Sequence, residues 1–422
     1  MTALSHHFRQ ATDSARDRNS KAVCDRSEQR PSLPQFWLSG LLLSNFRNYE
    51  TVKLEFEQAP VVLLGANGAG KTNLMEAISL LSPGKGMRRA KTAHLAQIGA
   101  AMPDWSVSAA LETQDGVMQI GTGVPADSQT GRRIMRREGM TVSQADIATQ
   151  LSVSWLTPQM DGVFIDSPGA RRRFLDRLVI AFDAAHIGRT NRYEKLMRER
   201  TLLISENRGD AGWFNALEAS LAETAIAITA ARRALINDLN EEARHGWHGF
   251  PGVRLELQGE IENWLDVMPA LAVEDRHMAA AANLRADSTS ALPGPHASEV
   301  NAYDVASNTP AYLASTGQQK ALLIAVVLAH ARLQERRLGR PPIMLLDDVA
   351  AHLDAKRRSA LFEALHDLGG QSWFSGSDAS LFEGLGKGAQ FMKIHDAEHD
   401  AEYDTEYNSG VTSKTPKCEW LI

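Results

Sequence analysis

Eight consecutive residues fit the pattern G-x-x-x-x-G-K-[ST], and this feature constrains the fold of the chain most strongly. An apolar run, 61–64, precedes them, and residues 73–78 follow with the apolar spacing of a helix. In this context glycines let backbone N–H groups and a helix N-terminus face phosphate oxygens, the lysine reaches the β- and γ-phosphates, and the last hydroxyl ligates Mg²⁺. The pattern predicts that the chain binds ATP or GTP. The loop residues are Gly65, Ala66, Asn67, Gly68, Ala69, Gly70, Lys71 and Thr72.

Composition and charge limit the function classes that this chain can serve. Its 422 residues, 43% of them apolar, are enough for two or three globular domains. The net charge of −6 argues against a basic nucleic-acid coat, so DNA contact has to come from local patches. We expect a cytoplasmic protein without membrane association, because we find no secretory signal and no apolar run near ~20 residues. The two cysteines, Cys24 and Cys418, lie in polar end segments, where a disulfide or zinc site is not expected.

Local patterns divide the chain into sheet-like and helical stretches. Apolar alternation before the phosphate loop predicts strands, and short apolar segments with Gly-containing turns after it predict a further small antiparallel sheet. Long stretches with three- and four-residue apolar spacing predict helices in a separate lobe, and a polar stretch rich in Ser, Gly and Pro predicts a loop or linker. The strands are expected at 41–46 and 52–56, the further sheet at 105–134, the helices at 170–204 and 213–243, and the loop at 287–310.

A second strand ends in two acidic residues. The apolar run 343–346 is followed by Asp347 and Asp348, as expected for a buried parallel strand with carboxylates at its end. A phosphate loop needs such a carboxylate for the Mg²⁺ shell, and Asp347 fits this role. Asp348 projects to the opposite side of the strand end and is suited to orient or deprotonate an attacking water. Taken alone, the pattern is equally typical of an ordinary strand followed by an acidic turn.

The start of another helix offers a second anion-binding end. Ser315, Thr316 and Gly317 lead into Gln318 and then into the very apolar segment 321–328. This start places hydroxyl and amide donors at the positive end of a helix. A plain N-cap is the simpler interpretation when these residues are considered by themselves.

The order of these segments resembles the ABC-type ATPase head. The phosphate loop, 313–320, 345–348 and 350–354 are similar to its Walker A, signature, Walker B and D-loop motifs. In that family two heads dimerise head to tail, and the signature of one closes over the ATP of the other. The resemblance therefore implies an ATP-dependent homodimer with ATP and Mg²⁺ as cofactors. In such a site Lys71, Asp347 and Asp348 are catalytic, Thr72 and Asp347 hold the metal, and Ser315, Gly317 and Gln318 act in trans.

Finer matches resemble the RecF family of bacterial recombination and gap-repair ATPases, which is related to the SMC class. The similarity runs from about Leu38 to Ile394, and by analogy Arg47 lies near the nucleotide base. The insert between Thr72 and Ser315 is longer than in transporter ATPases and lacks the heptads of a long coiled coil. The matching segments are 43–49, 67–78, 167–176, 315–320 and 346–348.

Local composition, together with the resemblance, predicts a division of the chain into five segments. One position departs from the family pattern, because His352 stands in the D-loop where an acidic residue is usual. Ser375 or Ser377 is a candidate γ-phosphate sensor, since this family has a hydroxyl residue where transporters have a histidine. The expected segments are a disordered extension (1–36), the N-terminal part of ATPase lobe I (37–165), a mainly helical lobe II (166–290), the C-terminal part of lobe I (291–395) and an acidic tail (396–422).

Three basic groups stand out against the acidic total. Such clusters can bind DNA phosphates by counterion release, without sequence preference. A solvated face or a set of salt bridges is the other interpretation of each group. Interleaved aromatic residues are absent, so the duplex backbone is the expected target rather than a single strand. The groups are Lys85, Arg88, Arg89 and Lys91; Arg132, Arg133, Arg136 and Arg137; and Arg171, Arg172, Arg173 and Arg177.

The RecF-like pattern implies a DNA-binding recombination and repair protein with weak ATPase activity that acts as a switch. Its ATP-bound dimer would clamp duplex DNA near single-strand gaps and help RecR and RecO to load RecA, which supports replication restart and the SOS response. The alternatives are the ATP-binding subunit of an ABC transporter and a structural chromosome-tethering head. The long insert and the missing switch histidine argue against the first alternative, and the lack of coiled-coil heptads argues against the second.

Overall fold

The structure is a computed structural model that describes residues 36–97, 104–128, 130–285, 291–386, 388–395 and 416–421. Within these ranges the chain forms two six-stranded sheets, one two-stranded sheet and nine α-helices. The mixed α/β fold class expected from the sequence is therefore confirmed. The expected N-terminal extension, 1–36, and the expected acidic tail, 396–422, lie outside the described residues apart from Phe36 and 416–421.

The secondary-structure elements are numbered in chain order. The strands are β1 (Trp37–Phe46), β2 (Tyr49–Glu55), β3 (Val61–Leu64), β4 (Trp105–Thr113), β5 (Gly116–Val124), β6 (Ile134–Arg137), β7 (Met140–Val142), β8 (Val153–Leu156), β9 (Val253–Gln258), β10 (Glu299–Asp304), β11 (Ile343–Leu346), β12 (Ser372–Gly376), β13 (Gln390–His395) and β14 (Lys417–Leu421). The helices are α1 (Lys71–Leu80), α2 (Gln144–Ala148), α3 (Pro168–Ile180), α4 (Ala185–Ser205), α5 (Ala211–Ala243), α6 (Glu260–Val267), α7 (Ala270–Asn283), α8 (Thr316–Leu338) and α9 (Ala355–Leu368).

The central sheet has the strand order β14-β13-β3-β12-β11-β8. Strand β14 is antiparallel to β13, and the other neighbours are parallel. Alternate residues of its strands face two different cores, because the sheet is covered on both sides. In β3, Val61 and Leu63 face the core shared with α1, whereas Val62 and Leu64 face the core shared with α8. This two-sided burial explains why β3 and β11 are continuous apolar runs.

The second six-stranded sheet is antiparallel, with the order β2-β1-β4-β5-β6-β7. Strands β1 and β2 form a hairpin with the two-residue loop Arg47-Asn48. The segment 105–134 was expected to form a further small sheet, but β4 pairs with β1, so it extends the opening sheet instead. The pairing places Leu43 opposite Val107, and both are fully buried. A shared apolar face therefore joins the opening strands to the segment 105–134, which local patterns alone had assigned to separate sheets.

Helices α3 to α7 make up most of the segment 166–290, but they do not enclose a wholly separate core. The long helix α5 packs against α4 and α7 through its first half, where Leu221 and Ala225 are buried. Its second half contacts α8, and Leu235 and Leu239 join the core on that face of the central sheet. The helical part is thus continuous with the sheet that carries the phosphate loop.

Three elements differ from the local expectations. The helix expected at 170–204 is split into α3 and α4, because the Asp183 carboxylate accepts the Ala185 N–H and competes with the helical pattern. Strand β10 lies inside the expected loop 287–310 and pairs with β9. Strand β14 lies inside the expected acidic tail and pairs with β13. Both strands depend on partners elsewhere in the chain, which local composition does not reveal.

Candidate functional site

The site forms where the carboxyl ends of three parallel strands meet. Strands β3, β12 and β11 are adjacent in the central sheet. The phosphate loop follows β3, Ser375 lies near the end of β12, and Asp347 follows β11. Parallel strands present their carboxyl ends at one edge, and ligands of α/β sheets bind there. The topology therefore brings together the two motifs that the sequence places far apart.

The phosphate loop leaves no room for a side chain at its last glycine. Gly70 has φ of 113°, a left-handed conformation, and a Cβ there would lie 2.7 Å from the Tyr49 hydroxyl oxygen. That hydroxyl donates a hydrogen bond to the Gly70 carbonyl oxygen at 3.1 Å. Residues Ala66, Asn67 and Gly68 of the loop are exposed at the surface. The loop therefore contacts the β1–β2 hairpin on one side, and its other side is exposed to solvent, where phosphates would approach.

Lys71 begins α1 and turns back into the loop. Its ammonium group donates to the carbonyl oxygens of Gly65 at 2.7 Å and Ala66 at 2.8 Å. Burial lowers the pKa of Lys71, and the nearby carboxylates of Asp348 and Asp347 act in the opposite direction. The lysine is thus a desolvated cation between the loop and two acids, which is the environment in which a phosphate contact is strong.

Thr72, Asp347 and Ser375 form a hydrogen-bonded cluster at the foot of the loop. The Thr72 hydroxyl donates to Asp347 Oδ1 at 3.0 Å, and the Ser375 hydroxyl donates to the same oxygen at 2.8 Å. Burial raises the pKa of Asp347, while the bonds from Ser375 and Thr72 lower it. The second carboxylate oxygen of Asp347 makes none of these bonds. The structure therefore places the two residues expected to hold a metal, Thr72 and Asp347, in direct contact.

This donor set suits a magnesium ion that is shared with a nucleotide. Mg²⁺ prefers oxygen ligands and is usually held by one or two protein groups together with water and phosphate oxygens. A hydroxyl and a carboxylate 3.0 Å apart satisfy that requirement. Within the described ranges, no group of three or more His, Cys, Asp or Glu side chains is arranged to hold a metal alone. The residues thus fit a metal ion that is bound together with the phosphates of a nucleotide.

Asp348 takes a separate position beside this cluster. Its φ of 51° is unusual for a residue other than glycine, and its N–H donates to the Ser375 hydroxyl at 2.8 Å. Such a left-handed residue costs of order 1–3 kcal/mol and tends to mark a functional site. The strain turns Asp348 away from the line of β11 and leaves its carboxylate near Lys71. The two acids therefore have different surroundings, and their predicted separate roles stay predictions.

The β1–β2 hairpin loop clamps α1, a function that the sequence analysis missed. Arg47 donates to both carboxylate oxygens of Glu76 at 2.9 Å and to the His94 carbonyl oxygen at 2.8 Å. The Asn73 amide donates to Asn48 Oδ1 at 2.8 Å. Arg47 was expected near the nucleotide base, and its partner Glu76 lies one helical turn after Thr72 in α1. Its side chain is committed to Glu76, whose carboxylate is fully buried.

We expect Arg47→Met to lower the free energy of unfolding by about 2–3 kcal/mol, because it leaves the buried Glu76 carboxylate with Arg88, 3.6 Å away, as its remaining ion-pair partner. The matched double variant with Glu76→Gln should recover part of this loss, since the uncompensated charge is removed. Urea denaturation measures both effects. A loss of ATP affinity without a loss of stability would show instead that Arg47 contacts the base.

The predicted signature forms a capped helix end. The Ser315 hydroxyl accepts the Gln318 N–H at 3.4 Å, and Gln318 Oε1 accepts the Ser315 N–H at 3.0 Å, which completes a capping box at the start of α8. Arg357 of α9 donates to the Gly317 carbonyl oxygen at 3.0 Å. Lys320 forms an ion pair with Asp161 at 2.9 Å. Arg357, Lys320 and Asp161 were not singled out from the sequence, because their partners lie in other segments.

The signature and the phosphate loop do not meet within one chain. Ser315 and Gln318 are exposed, and within the described part of the chain neither hydrogen-bonds to residues 65–72. Of the two candidate sensors, Ser375 is buried against Asp347, whereas Ser377 is exposed beyond β12. His352 is exposed beside Asp354, which caps α9 by accepting the Arg357 N–H. The phosphate loop, the signature and the D-loop thus all have residues on the surface.

Some side chains of the three basic groups bond to other protein groups, and others are exposed without such a partner. Arg133 donates to the carbonyl oxygens of Leu80 and Gly84, Arg171 pairs with Glu299, and Arg172 donates to the Ser298 carbonyl oxygen. Arg88 donates to Asn73. Arg177 donates to the Met160 sulfur, so five of the twelve candidates serve the fold. Within the described ranges, those that are exposed without a hydrogen bond or ion pair are Lys85, Arg89, Lys91, Arg132, Arg136 and Arg173.

Comparisons with known proteins find relatives that cover most of this chain. The family model of the RecF/RecN/SMC N-terminal domain matches residues 37–375. The DNA replication and repair protein RecF of Agrobacterium fabrum is 42% identical over 85% of this chain and 96% of its own length. The protein of that name from Rhizobium meliloti is 43% identical over 85% of this chain and 97% of its own length.

Solved structures show the same fold at lower identity. A structure of the recombination mediator protein RecF-ATPrS in the RecFOR pathway has a TM-score of 0.73 at 22% identity and covers 86% of this chain and 97% of its own. An SMC head bound to the C-terminal winged-helix domain of ScpA has a TM-score of 0.51 at 15% identity, over 91% and 97% of the two chains. Separately, none of the helices in the described ranges combines the length and apolarity needed to cross a membrane.

Proposed function

This chain belongs to the RecF family of DNA replication and repair proteins, and on this premise we propose that it is an ATP-dependent DNA-binding protein of recombination and repair. The observation that carries the proposal is the cluster of Thr72, Asp347 and Ser375 at the foot of the phosphate loop. It joins a nucleotide-binding motif to a metal-binding carboxylate 275 residues away. Membership of this family over most of the chain argues against a transporter subunit.

In this proposal, Mg²⁺ and ATP are bound together at the loop. The metal would neutralise part of the negative charge on the β- and γ-phosphates, as in other phosphate-loop proteins. Lys71 exchanges its two carbonyl partners for phosphate oxygens, and Thr72 and Asp347 orient the metal. Asp348 orients and deprotonates the attacking water, while Ser375 holds both acids in place. Hydrolysis is slow and serves as a switch, so the bound ATP rather than its turnover sets the state of the protein.

The site is completed by a second copy of the chain. Ser315, Gly317 and Gln318 stand at the positive end of α8, and Ser315 and Gln318 are exposed. In the same chain they make no hydrogen bond to the described phosphate loop. Placed over the loop of a partner copy, their donors would meet the γ-phosphate. ATP would then join two heads, and its hydrolysis would release them.

DNA binding is assigned to the exposed cations without protein partners. Lys91, Arg132 and Arg136 are three of the six described residues of the basic groups that meet this condition. Their contacts to phosphates would be independent of sequence and sensitive to salt. In the cytoplasm, the ATP-bound dimer would hold duplex DNA near a single-strand gap. It would act there with RecR and RecO to load RecA, which supports replication restart and the SOS response.

We expect ATP to strengthen binding to gapped duplex DNA by at least about 10-fold, and Ser315→Arg to abolish this gain because a bulky cation blocks the dimer interface. Binding should weaken steeply from about 50 to 200 mM salt. Fluorescence anisotropy with gapped and intact duplexes, with and without ATP, measures these effects.

Two control variants separate loss of the dimer from loss of the helix cap. Ser315→Asn keeps an N-cap of similar strength without the added bulk, and Ser205→Arg adds the same charge at the exposed end of α4. Ser205→Arg should retain the ATP response. Equal binding of the wild-type protein to all duplexes with no ATP dependence would contradict the switch.

A further inference from the structure

A cavity of about 340 Å³ lies at the junction of the sheet and the helical part. Its walls come from the loop 82–89 after α1, from β8, and from α3, α4 and α8. None of the residues of the phosphate loop and neither Asp347 nor Asp348 lines it. The cavity is therefore separate from the nucleotide site. Its volume lies near the lower end of the range for small-molecule sites, about 300–1,000 Å³.

An arginine without a carboxylate partner reaches into this cavity. The Arg177 guanidinium lies over the Trp155 ring, 4.7 Å from its centroid, and 5.2 Å from that of Phe174. Its Nη1 is 3.3 Å from the Met160 sulfur. In the described part of the chain, no carboxylate lies within ion-pair distance of it. A cation removed from water in this way is costly unless a counter-charge approaches it.

Two further arginines stand at the mouth of the same cavity. Arg89 and Arg173 line it, are exposed, and have neither a hydrogen bond nor an ion pair among the described residues. Arg89 has φ of 55°, an unusual conformation that points to a local constraint at this position. Burial lowers the pKa of Arg177 to about 9, and Arg89 adds to this effect. Burial followed by the charge of Arg173 lowers the pKa of Arg89, and the smaller contributions of Asp176 and Glu194 act in the opposite direction. Arg89 is thus close enough to repel both Arg177 and Arg173.

The acidic residues that line the cavity do not cancel this charge. Asp176 accepts Arg232 through both carboxylate oxygens at 2.8 and 2.9 Å and contacts His186 at 2.7 Å. Its charge is therefore already compensated. Glu194 has Arg198 at 3.9 Å, and Asp166 is exposed at the rim. An excess of positive charge remains around Arg177.

We propose that this junction cavity binds a small organic phosphate of mononucleotide size or smaller. Guanidinium groups match phosphate oxygens in a bidentate way, and three of them converge here. The apolar side chains of Val163, Leu178 and Ile187 line the walls and would cover the organic part of the ligand. A free ligand suits the cavity better than DNA, because Arg177 lies inside it against aromatic rings, whereas a duplex backbone would meet only the mouth. The inference goes beyond the proposed function and does not depend on it.

The test uses the full-length protein saturated with Mg²⁺ and ADP, so that the phosphate loop is filled. AMP and inorganic pyrophosphate are titrated by calorimetry, and Trp155 serves as a fluorescent reporter, with Trp155→Phe to identify its signal. We expect one additional site per chain. Arg89→Gln with Arg173→Gln should weaken AMP or pyrophosphate binding at least about 10-fold, since each charge-assisted contact is strong. Arg177→Met should weaken it by more.

The control is Arg132→Gln with Arg136→Gln, which removes two exposed arginines of the same kind outside the cavity. This control should leave AMP and pyrophosphate binding unchanged. Because the rim variant changes only exposed side chains, it tests the proposal even if Arg177→Met fails to fold. The proposal is overturned if neither ligand binds, or if the rim variant binds both as tightly as wild type. It is also overturned if the rim variant loses duplex DNA but keeps both small ligands, which would assign the arginines to DNA.

Discussion

Replacing Lys71 by alanine is expected to weaken ATP binding about 100- to 1,000-fold while the fold is retained. The ammonium group lies between the carbonyl oxygens of Gly65 and Ala66 and the two acids that follow β11. Each charge-assisted bond that it forms with a phosphate contributes about 1.5–3 kcal/mol, and two such bonds at the lower end of this range account for the expected loss of affinity. Titration calorimetry with ATP in the presence of Mg²⁺ measures the change directly.

The matched control for Lys71→Ala is Lys85→Ala, which removes an exposed lysine from the loop after α1. It should bind ATP as the wild-type protein does. Thermal unfolding without nucleotide should be similar for the two variants and wild type, because Lys71 is bonded to backbone carbonyls of a loop rather than to a core group. Wild-type affinity for ATP in Lys71→Ala would mean that residues 65–72 are not the nucleotide site.

Asp348→Asn is expected to reduce ATP hydrolysis about 100- to 10,000-fold and to leave ATP binding intact. An amide has nearly the same size but cannot accept the proton of the attacking water, and general base catalysis contributes an effect of this magnitude. The backbone N–H of residue 348 still donates to Ser375, so Asp347 keeps its hydrogen bonds. Because ATP persists, the variant should accumulate as a dimer. Phosphate release and analytical sedimentation measure the two consequences.

The corresponding control is Asp367→Asn, an acid of α9 that contacts His248 rather than the site. It should hydrolyse ATP at the wild-type rate. Ser375→Ala provides a graded comparison, because it removes a hydrogen bond from Asp347 and from the Asp348 N–H but leaves both carboxylates. We expect a smaller loss of hydrolysis from it than from Asp348→Asn. An Asp348→Asn protein that sediments as a monomer with saturating ATP would contradict the composite site.

The sequence was sufficient to predict which motifs meet at the candidate site, because each motif is local, whereas the chemical roles of their residues stay predictions. The phosphate loop needs only eight consecutive residues, and Asp347 was recognised from the apolar run before it. Their direct contact through Thr72 follows from the general requirement of a phosphate loop for a nearby carboxylate. The mixed α/β class was likewise visible from strands and helices that alternate along the chain. These predictions depend on spacing over a few residues.

Interactions between distant segments could not be predicted in this way. The extension of the opening sheet by β4 depends on which strand edge is free, and the hairpin clamp on α1 pairs Arg47 with a glutamate 29 residues away. The basic run 171–173 illustrates the same limit. Arg171 and Arg172 are occupied by Glu299 and Ser298 of β10 and its approach, whereas Arg173 is exposed at a cavity. Identical residue types in one run therefore have different roles, which only tertiary contacts distinguish.

The strand order of the central sheet has a consequence for biosynthesis. Strand β3 lies between β12 and β13, which are translated about 300 residues later. A growing chain therefore carries β3 with both edges unpaired through most of its time on the ribosome, and such edges promote aggregation. The nucleotide site cannot form during this period, because Asp347 and Ser375 have not yet been made. Binding competence thus requires the late strands β11 and β12, and until they are made the elements available to cover β3 are α1 and the early antiparallel sheet, which share its core.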